Sequence, residues 1–275
     1  MTLLKRLFDF YIQSSIHVAF SCYALVRMTE YMFQIPNNKA MVLFGFFGTI
    51  VGYNFVKYDA LARTGKREPS YRVKAIALLS FFSILAAGYC FLKLENATKV
   101  ISAFFLGLTI LYTLPFFPNR KNARNWAGVK IYIVSICWVG VTVVLPVLNA
   151  DPELQQLFNT DFYLKITQRF LLVFVLVLIF EIIDLSNDDP HLQTVPQQIG
   201  MKRTKMLGLL LLIVFYFLEF LKIVFDAKQV LVNIVLVIVI AAFLIFANER
   251  KSKYYTSFWV ESVPIFWWLL VVFFC

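Results

Sequence analysis

The residues best suited to chemistry lie between positions 181 and 200. Glu181, Asp184 and Asp188 follow one another at i, i+3 and i+7, so they share one stripe of a helix. Three carboxylates this close repel one another unless a cation or basic groups compensate their charge. Mg2+ prefers oxygen ligands and is often bound by one or two carboxylates together with phosphate oxygens. The spacing therefore favours a magnesium site for a diphosphate. The alternative is a solvated acidic helix end before Asp189, which the helix dipole disfavours.

A set of aromatic and basic residues accompanies these acids. Tyr112 is followed by Arg120, Lys121 and Lys130, all predicted on the same side of the membrane as the acidic stripe. Arginine offers a planar fork for phosphate oxygens, and lysine offers a point charge. These side chains either bind a diphosphate or are the positive flanking charges that orient a membrane protein.

A third group of polar residues lies at the predicted inner end of the second span. Asn54 and Tyr58 share a helix face, while Asp59 is turned by about 100° from Tyr58. A carboxylate at this position would complete a metal site opposite the acidic stripe. Alternatively, it is an interfacial charge that Lys57 or Arg63 neutralises.

The composition indicates an integral membrane protein. The 275 residues are 60% hydrophobic and 17% aromatic, and the mean hydropathy is +0.75. A run of about 20 apolar residues is long enough to cross a bilayer. We predict one all-α polytopic domain over 1–275, with functional loops on one side at about 54–72, 112–130 and 181–203. Nine transmembrane helices are predicted at 10–32, 39–58, 73–93, 98–117, 128–149, 162–183, 204–225, 229–247 and 256–274.

The distribution of lysine and arginine predicts the orientation. Most of the 26 basic residues fall in alternate loops, which places the N-terminus in the cytoplasm and the C-terminus outside, as in a bacterial inner membrane. The net charge of +10 is then a topology signal and an attraction to anionic membrane lipids, and it does not imply a nucleic-acid partner. Gly48 and Gly52 form a GxxxG pair, which either permits a close helix contact or occurs by chance.

These residues together resemble the UbiA-type intramembrane prenyltransferases, most closely over 50–205. Asp184-xxx-Asp188, followed by a Thr-x-Pro-xxx-Gly tail at 194–200, is similar to the second aspartate motif of that family. Tyr112 and the basic residues after it resemble the loop that follows the fourth span.

The first aspartate motif of that family is degraded in this chain. Asn54 matches the opening of the motif NDxxDxxxD, but its aspartate positions carry Phe55, Tyr58 and Ala62. Asp59 is acidic and lies one residue out of register. The resemblance is therefore strong on one side of the expected metal clamp and weak on the other.

The resemblance implies nine helices around a central cavity that opens towards the cytoplasm. There Mg2+ holds a polyprenyl diphosphate, the diphosphate departs, and an aromatic or other lipophilic acceptor attacks the allylic cation. It implies Asp184 and Asp188 as magnesium ligands with Glu181 beside them, and Asn54 with Asp59 on the opposing side. The residues expected at the substrate diphosphate are Lys57, Tyr112, Arg120, Lys121 and Lys130.

Other functions compete with this interpretation. The broken first motif is compatible with a catalytically impaired isoprenoid-binding protein of the same fold. A transporter would use embedded polar residues such as His17, Arg169 and Glu261. A CDP-alcohol phosphotransferase is excluded, because its DGxxAR opening is matched only faintly from Asp59 onwards and no GxxxDxxxD follows.

Overall fold

Helices form the secondary structure of the chain in its computed structural model. The structure describes residues 3–64, 70–114, 126, 128–151, 159–223 and 226–274, and for residues 59–64 it describes the backbone. These residues contain no β-strand. The α-helices are α1 (Leu3–Gln13), α2 (Ile16–Met32), α3 (Lys39–Thr64), α4 (Tyr71–Leu92), α5 (Asn96–Thr113), α6 (Val129–Val139), α7 (Leu145–Ala150), α8 (Thr160–Asp184), α9 (Val195–Ile199), α10 (Met201–Phe217), α11 (Ala227–Phe246) and α12 (Val263–Phe274).

Four shorter helical turns join these elements. The π-helical turn Gly140–Val144 links α6 to α7, and the π-helical turn Tyr255–Val260 precedes α12. The 3-10 turns are Pro190–Leu192 before α9 and Leu218–Leu221 after α10.

The described residues contain eight helical stretches that are long and apolar enough to cross a membrane. They are Lys39–Tyr58, Tyr71–Leu92, Asn96–Thr113, Val129–Ala150, Thr160–Asp184, Met201–Leu221, Ala227–Phe246 and Tyr255–Phe274. These stretches correspond to the second to ninth predicted spans, and the 17-residue α2 corresponds to the first. The prediction of an all-α membrane protein is confirmed, with about nine crossings.

The first predicted span, 10–32, is wrong at its beginning, because α1 and α2 are separate helices. Ser15 between them has a φ angle of 63°, in the left-handed region, and its hydroxyl accepts a hydrogen bond from Lys57 Nζ at 3.0 Å. The buried Asp9 of α1 accepts a hydrogen bond from the hydroxyl of Tyr254. Helix α1 therefore lies against the beginning of the last span instead of extending α2.

Hydrogen bonds between distant parts of the chain show which loops lie together. Besides the bond from Lys57 to Ser15, the backbone N–H of Gly128 donates to the carbonyl of Leu192 at 3.1 Å. At this end of the bundle α3, α5, α8 and α11 end, and α4, α6 and α10 begin. We call it the motif side, since the described parts of the three predicted functional loops lie there.

Side chains of α2 satisfy the backbone of both π-helical turns. The carbonyl of Thr142 accepts from the hydroxyl of Thr29 at 2.6 Å, and the carbonyl of Phe258 accepts from His17 Nε2 at 3.0 Å. The carbonyl of Phe258 also accepts from the backbone N–H of Ser262 at 2.9 Å, so His17 adds a second donor from a neighbouring helix. Helix α2 therefore fixes the two irregular spans relative to each other.

Helix α8 runs through the core, and most of its residues are buried. Its Arg169 is fully buried. The guanidinium donates to the carbonyl of Leu25 at 3.2 Å and to Thr142 Oγ1 at 2.9 Å, and it lies 5.5 Å from the ring centroid of Trp267. Arg169 therefore ties α8 to α2, to the first π-helical turn and to the last span.

We expect Arg169→Ala to lower the free energy of unfolding by at least about 2 kcal/mol, because it removes hydrogen bonds to a charged group in a buried site. Thermal unfolding in detergent measures the change. The control is Arg203→Ala, which removes an exposed arginine and should leave the melting temperature nearly unchanged. Equal melting temperatures for the two variants would show that Arg169 does not hold the bundle together.

Candidate functional site

Glu181 anchors the loop that follows the acidic stripe. Its side chain is buried near the end of α8, and Oε2 accepts a hydrogen bond from the backbone N–H of Val195 at 3.1 Å. Val195 begins α9, and the first N–H groups of a helix have no partner within it. The carboxylate thus supplies the missing acceptor. This contact favours a supporting role for Glu181 over direct metal binding.

The Thr-x-Pro-xxx-Gly tail has a local structural explanation. Thr194 is the N-cap of α9, and its backbone N–H donates to Gln197 Oε1 at 2.9 Å, as in a capping box. Pro196 occupies the first turn, where its missing N–H is no loss. Gly200 ends the helix with a φ angle of 80°, which glycine tolerates without strain. These residues build a short rigid helix beside the acidic stripe.

The same loop packs against the beginning of α6. Gly128 has a φ angle of 69°, and a Cβ at this position would lie 3.3 Å from Gln198 Nε2. Two residues further on, Lys130 Nζ lies 4.0 Å from Asp188 Oδ2. That carboxylate oxygen is buried and has no hydrogen-bond partner. The structure therefore brings Lys130 close to Asp188, and within the described residues that Asp188 oxygen accepts no hydrogen bond.

The acids fit a small magnesium site better than a three-ligand cage. The part of the chain that the structure describes holds no group of three or more acids, histidines or cysteines arranged to share a metal ion. Asp184 is partly exposed at the end of α8, and Glu181 is engaged with α9. Magnesium that also binds substrate phosphates needs only one or two protein carboxylates. Asp184 and Asp188 remain the predicted ligands, and the unpartnered Asp188 oxygen is compatible with that role.

Asn54 is hydrogen-bonded to α4. It is buried, its amide donates to Ser80 Oγ of α4 at 2.9 Å, and its Oδ1 accepts no hydrogen bond from the described residues. Asp59 lies outside the described side chains, and Arg120 and Lys121 lie outside the described residues. Position 59 follows Gly52 by seven residues on α3, which is the spacing of one helix stripe.

One face of α3 looks inwards onto open space. A Cβ added to Gly45 would meet Val26, Cys22 and Val141 at 3.4–3.8 Å, so this face points into the bundle. Gly48 and Gly52 follow on the same face, yet a Cβ at either position would meet nothing within 4 Å. Of the two interpretations of this GxxxG pair, the structure therefore does not show the close helix contact. The glycines border an opening instead.

Polar and aromatic side chains line this opening towards the motif side. The hydroxyl of Tyr53 accepts from Trp138 Nε1 at 2.9 Å, and Lys57 Nζ lies 5.7 Å from the Tyr53 ring centroid. Tyr53 also interacts electrostatically with Glu261 and with the buried Tyr112. These side chains come from four spans. Tyr53 and Glu261 are each partly accessible.

We call the open space beside Gly48 and Gly52, next to Tyr53 and Lys57, the chamber. The second π-helical turn positions Glu261, which is the first residue after it. The backbone carbonyl of Glu261 accepts a hydrogen bond from Ser21 on α2. A π-helical turn often marks a functional position in a membrane or soluble helix.

Two further grooves of about 310 Å3 each lie away from the predicted site residues. One is lined by Arg27, Glu30 and Trp268 near the opposite end of the bundle. The other is apolar and includes Phe105 and Phe170.

A solved structure has the same arrangement of helices. The apo structure of a UbiA homolog from Aeropyrum pernix K1 aligns with this chain at a TM-score of 0.65, over 94% of this chain and 97% of that chain. The two sequences are 15% identical in the alignment. The chain has the UbiA fold. No family model and no curated protein matches the sequence.

Two of the motifs identified in the sequence agree with the UbiA fold. The motifs at 112–130 and 181–200 resemble those of the family, and their described parts lie on the motif side. Sequence analysis singled out Glu261 only as an embedded charge and did not recognise Tyr53 or Trp138. The signal for Glu261 was an acid in an otherwise apolar final span, close to Pro264.

Filling the chamber should leave the fold intact. We expect Gly52→Leu to keep or raise the melting temperature in detergent, because leucine favours helix by about 1 kcal/mol over glycine and the new side chain meets open space. The matched control is Gly208→Leu, whose Cβ would lie 2.5 Å from Leu244 Cδ2, so that variant should melt at a lower temperature. A large loss of stability in Gly52→Leu would show that no chamber borders this face.

Proposed function

We propose that the protein is a UbiA-like prenyltransferase. It transfers a polyprenyl group from an isoprenoid diphosphate to an aromatic or other lipophilic acceptor at the cytoplasmic face of the membrane. In this proposal the motif side is cytoplasmic, the C-terminus is outside, and the protein resides in a bacterial inner membrane.

One observation supports this proposal above the others. In a UbiA fold, an open chamber lined by aromatic and charged side chains lies at the same end of the bundle as the segment that carries Asp184 and Asp188. An apolar chamber accommodates a prenyl chain, and polar groups at its mouth accommodate the diphosphate. Enclosure also keeps water from an allylic cation, and the faces of aromatic rings attract cations.

In this proposal each predicted site residue has a separate role. Asp184 and Asp188 would hold Mg2+, which supplies positive charge that stabilises the departing diphosphate. Lys130 lies beside Asp188 and offers a further positive charge to phosphate oxygens. Glu181 keeps the loop in place through α9. Lys57 and Tyr112 contribute at the chamber, and we assign Arg120 and Lys121 to the diphosphate on the family resemblance alone.

The orientation of Asn54 favours a second candidate function. The residue that matches the opening of the first aspartate motif is hydrogen-bonded to α4, and no hydrogen bond links it to the described part of the second motif. A protein with one functional acidic motif would bind an isoprenoid diphosphate without transferring its prenyl group. This candidate is a catalytically impaired isoprenoid-binding protein of the same fold.

Magnesium-dependent binding of farnesyl or geranylgeranyl diphosphate in detergent tests the shared part of both proposals. We expect Asp188→Asn to weaken binding at least about tenfold, the scale of loss when a metal site is disturbed. Asp189→Asn is the matched control, because Asp189 is exposed and its side chain accepts from the backbone N–H of His191, a contact that asparagine can retain. Equal binding by the two variants would remove the site assignment.

Binding of the same two diphosphates by Gly52→Leu tests the chamber as the place of the prenyl chain. We expect weaker binding that falls further for the longer chain, since leucine occupies space the chain needs. Binding of inorganic pyrophosphate should be unaffected. A loss shared equally by all three ligands would place the prenyl chain elsewhere.

Turnover separates the enzyme from the binding protein. Purified protein is incubated with each diphosphate, Mg2+ and a panel of aromatic acceptors, and prenylated product is measured. The enzyme forms product with at least one acceptor, whereas tight binding without product for every acceptor favours the impaired relative.

A further inference from the structure

A groove of about 310 Å3 lies where the first and the last span meet, at the end of the bundle opposite the motif side. Arg27 and Glu30 of α2 line it together with Trp268 of α12, and the remaining lining residues belong to the last turn of α2 and the loop before α3. Arg27 follows the first residue of α2 by eleven positions, about 17 Å along the helix axis. The groove is therefore separate from the predicted diphosphate site.

The backbone after α2 forms one edge of this groove. The N–H of Ile35 donates to the carbonyl of Glu30 at 3.0 Å, and the N–H of Gln34 donates to the carbonyl of Tyr31 at 3.2 Å. These two bonds form a Schellman motif, with Gln34 in the left-handed region at a φ angle of 52°. The motif turns the loop back over the last turn of α2, so the helix itself holds the loop that lines the groove.

An ion pair lies on the wall of the groove. Within the described residues, the guanidinium of Arg27 has the carboxylate of Glu30 as its one hydrogen-bond acceptor, so four of its five N–H donors remain unused there. Glu30 is buried and also accepts from the backbone N–H of Asn38 at 3.1 Å, whereas a carboxylate has room for about four hydrogen bonds. The pair thus offers donors and acceptor capacity together, and its net charge is zero.

Aromatic rings indicate the depth of the groove in the membrane. The guanidinium carbon of Arg27 lies 5.9 Å from the ring centroid of Trp268, and the ring centroids of Tyr31 and Trp268 are 6.2 Å apart. Trp268 precedes the last residue of α12 by six positions, about 9 Å along the helix axis. Tryptophan and tyrosine are enriched where hydrocarbon meets the headgroup region. The groove therefore lies at the level of phospholipid headgroups.

The charges of the groove select among these headgroups. A phosphate accepts from the fork of Arg27, but the neighbouring Glu30 repels it. A primary ammonium donates to a carboxylate and balances its charge. Phosphoethanolamine carries both groups and complements the pair. Phosphoglycerol carries the phosphate without a cation, and the trimethylammonium of phosphocholine has no N–H to donate.

We propose that this groove binds the phosphoethanolamine headgroup of a phospholipid. The phosphate oxygens accept from Arg27, and the ammonium donates to Glu30. The beginning of an acyl chain packs against Trp268. The bound lipid covers the seam between the first and the last span, and it belongs to the leaflet opposite the motif side. The site does not depend on the proposed prenyl transfer.

Binding of phospholipids to the full chain in detergent tests this site. Native mass spectrometry measures the dissociation constant of the first bound lipid for phosphatidylethanolamine, phosphatidylcholine and phosphatidylglycerol with identical acyl chains. We expect the wild-type protein to bind phosphatidylethanolamine about tenfold more tightly than the other two, the worth of one hydrogen bond to a charged group.

Two variants at the ion pair should change this preference in different ways. Glu30→Gln should lose the preference and bind phosphatidylglycerol more tightly than the wild type does, because the repelling charge is gone. Arg27→Gln should weaken binding of all three lipids, since each carries a phosphate. The controls are Glu95→Gln and Lys93→Gln, which alter exposed charges at the same end of the bundle and should keep the wild-type preference.

The outcomes decide between this site and a purely structural ion pair. A wild-type protein that binds the three lipids equally, or prefers another of them, overturns the proposal. A Glu30→Gln variant that keeps the full preference overturns it as well. Thermal unfolding verifies that each variant is folded. If Glu30→Gln is not folded, Arg27→Gln decides, because unchanged binding of phosphatidylethanolamine by that variant also contradicts the site.

Discussion

The absence of water in the membrane interior is the constraint on which this structure depends. Each backbone carbonyl released from a regular helix must find a donor inside the protein. Two spans contain π-helical turns, and α2 supplies donors to both through Thr29 and His17. Ser21 of the same helix donates to the carbonyl of Glu261. One helix therefore fixes the geometry of the chamber, because it holds the last span against the middle of the bundle.

The same constraint separates structural polar groups from functional ones. Near the opposite end of the bundle, Lys165, Gln168, Glu219 and Asn233 satisfy one another through hydrogen bonds of 2.8–2.9 Å. On the motif side, one buried oxygen of Asp188 and the buried amide oxygen of Asn54 accept no hydrogen bond from the described residues. Buried polar groups without partners are rare in folded proteins, so the unpartnered Asp188 oxygen is compatible with a ligand on the motif side.

The sequence predicted the architecture well for physical reasons. A run of about 20 apolar residues has few alternatives to a membrane-crossing helix, so the spans followed from length and hydropathy. The loop at 194–200 also follows local rules, since a capping threonine, a first-turn proline and a glycine with positive φ specify a short helix. The break at Ser15 was missed, because apolar composition continues through both α1 and α2 and hides a turn between them.

By itself, the sequence determined the membrane class, the approximate spans and the acidic segment at the end of α8. Tertiary structure alone decided which side of each helix looks inwards. When a span is apolar on every side, its helical periodicity does not show which face contacts lipid and which face borders the chamber. Asn54 therefore proved to be hydrogen-bonded to α4, and Gly48 and Gly52 proved to border open space. Such relations depend on how helices distant in sequence pack together, which no local pattern records.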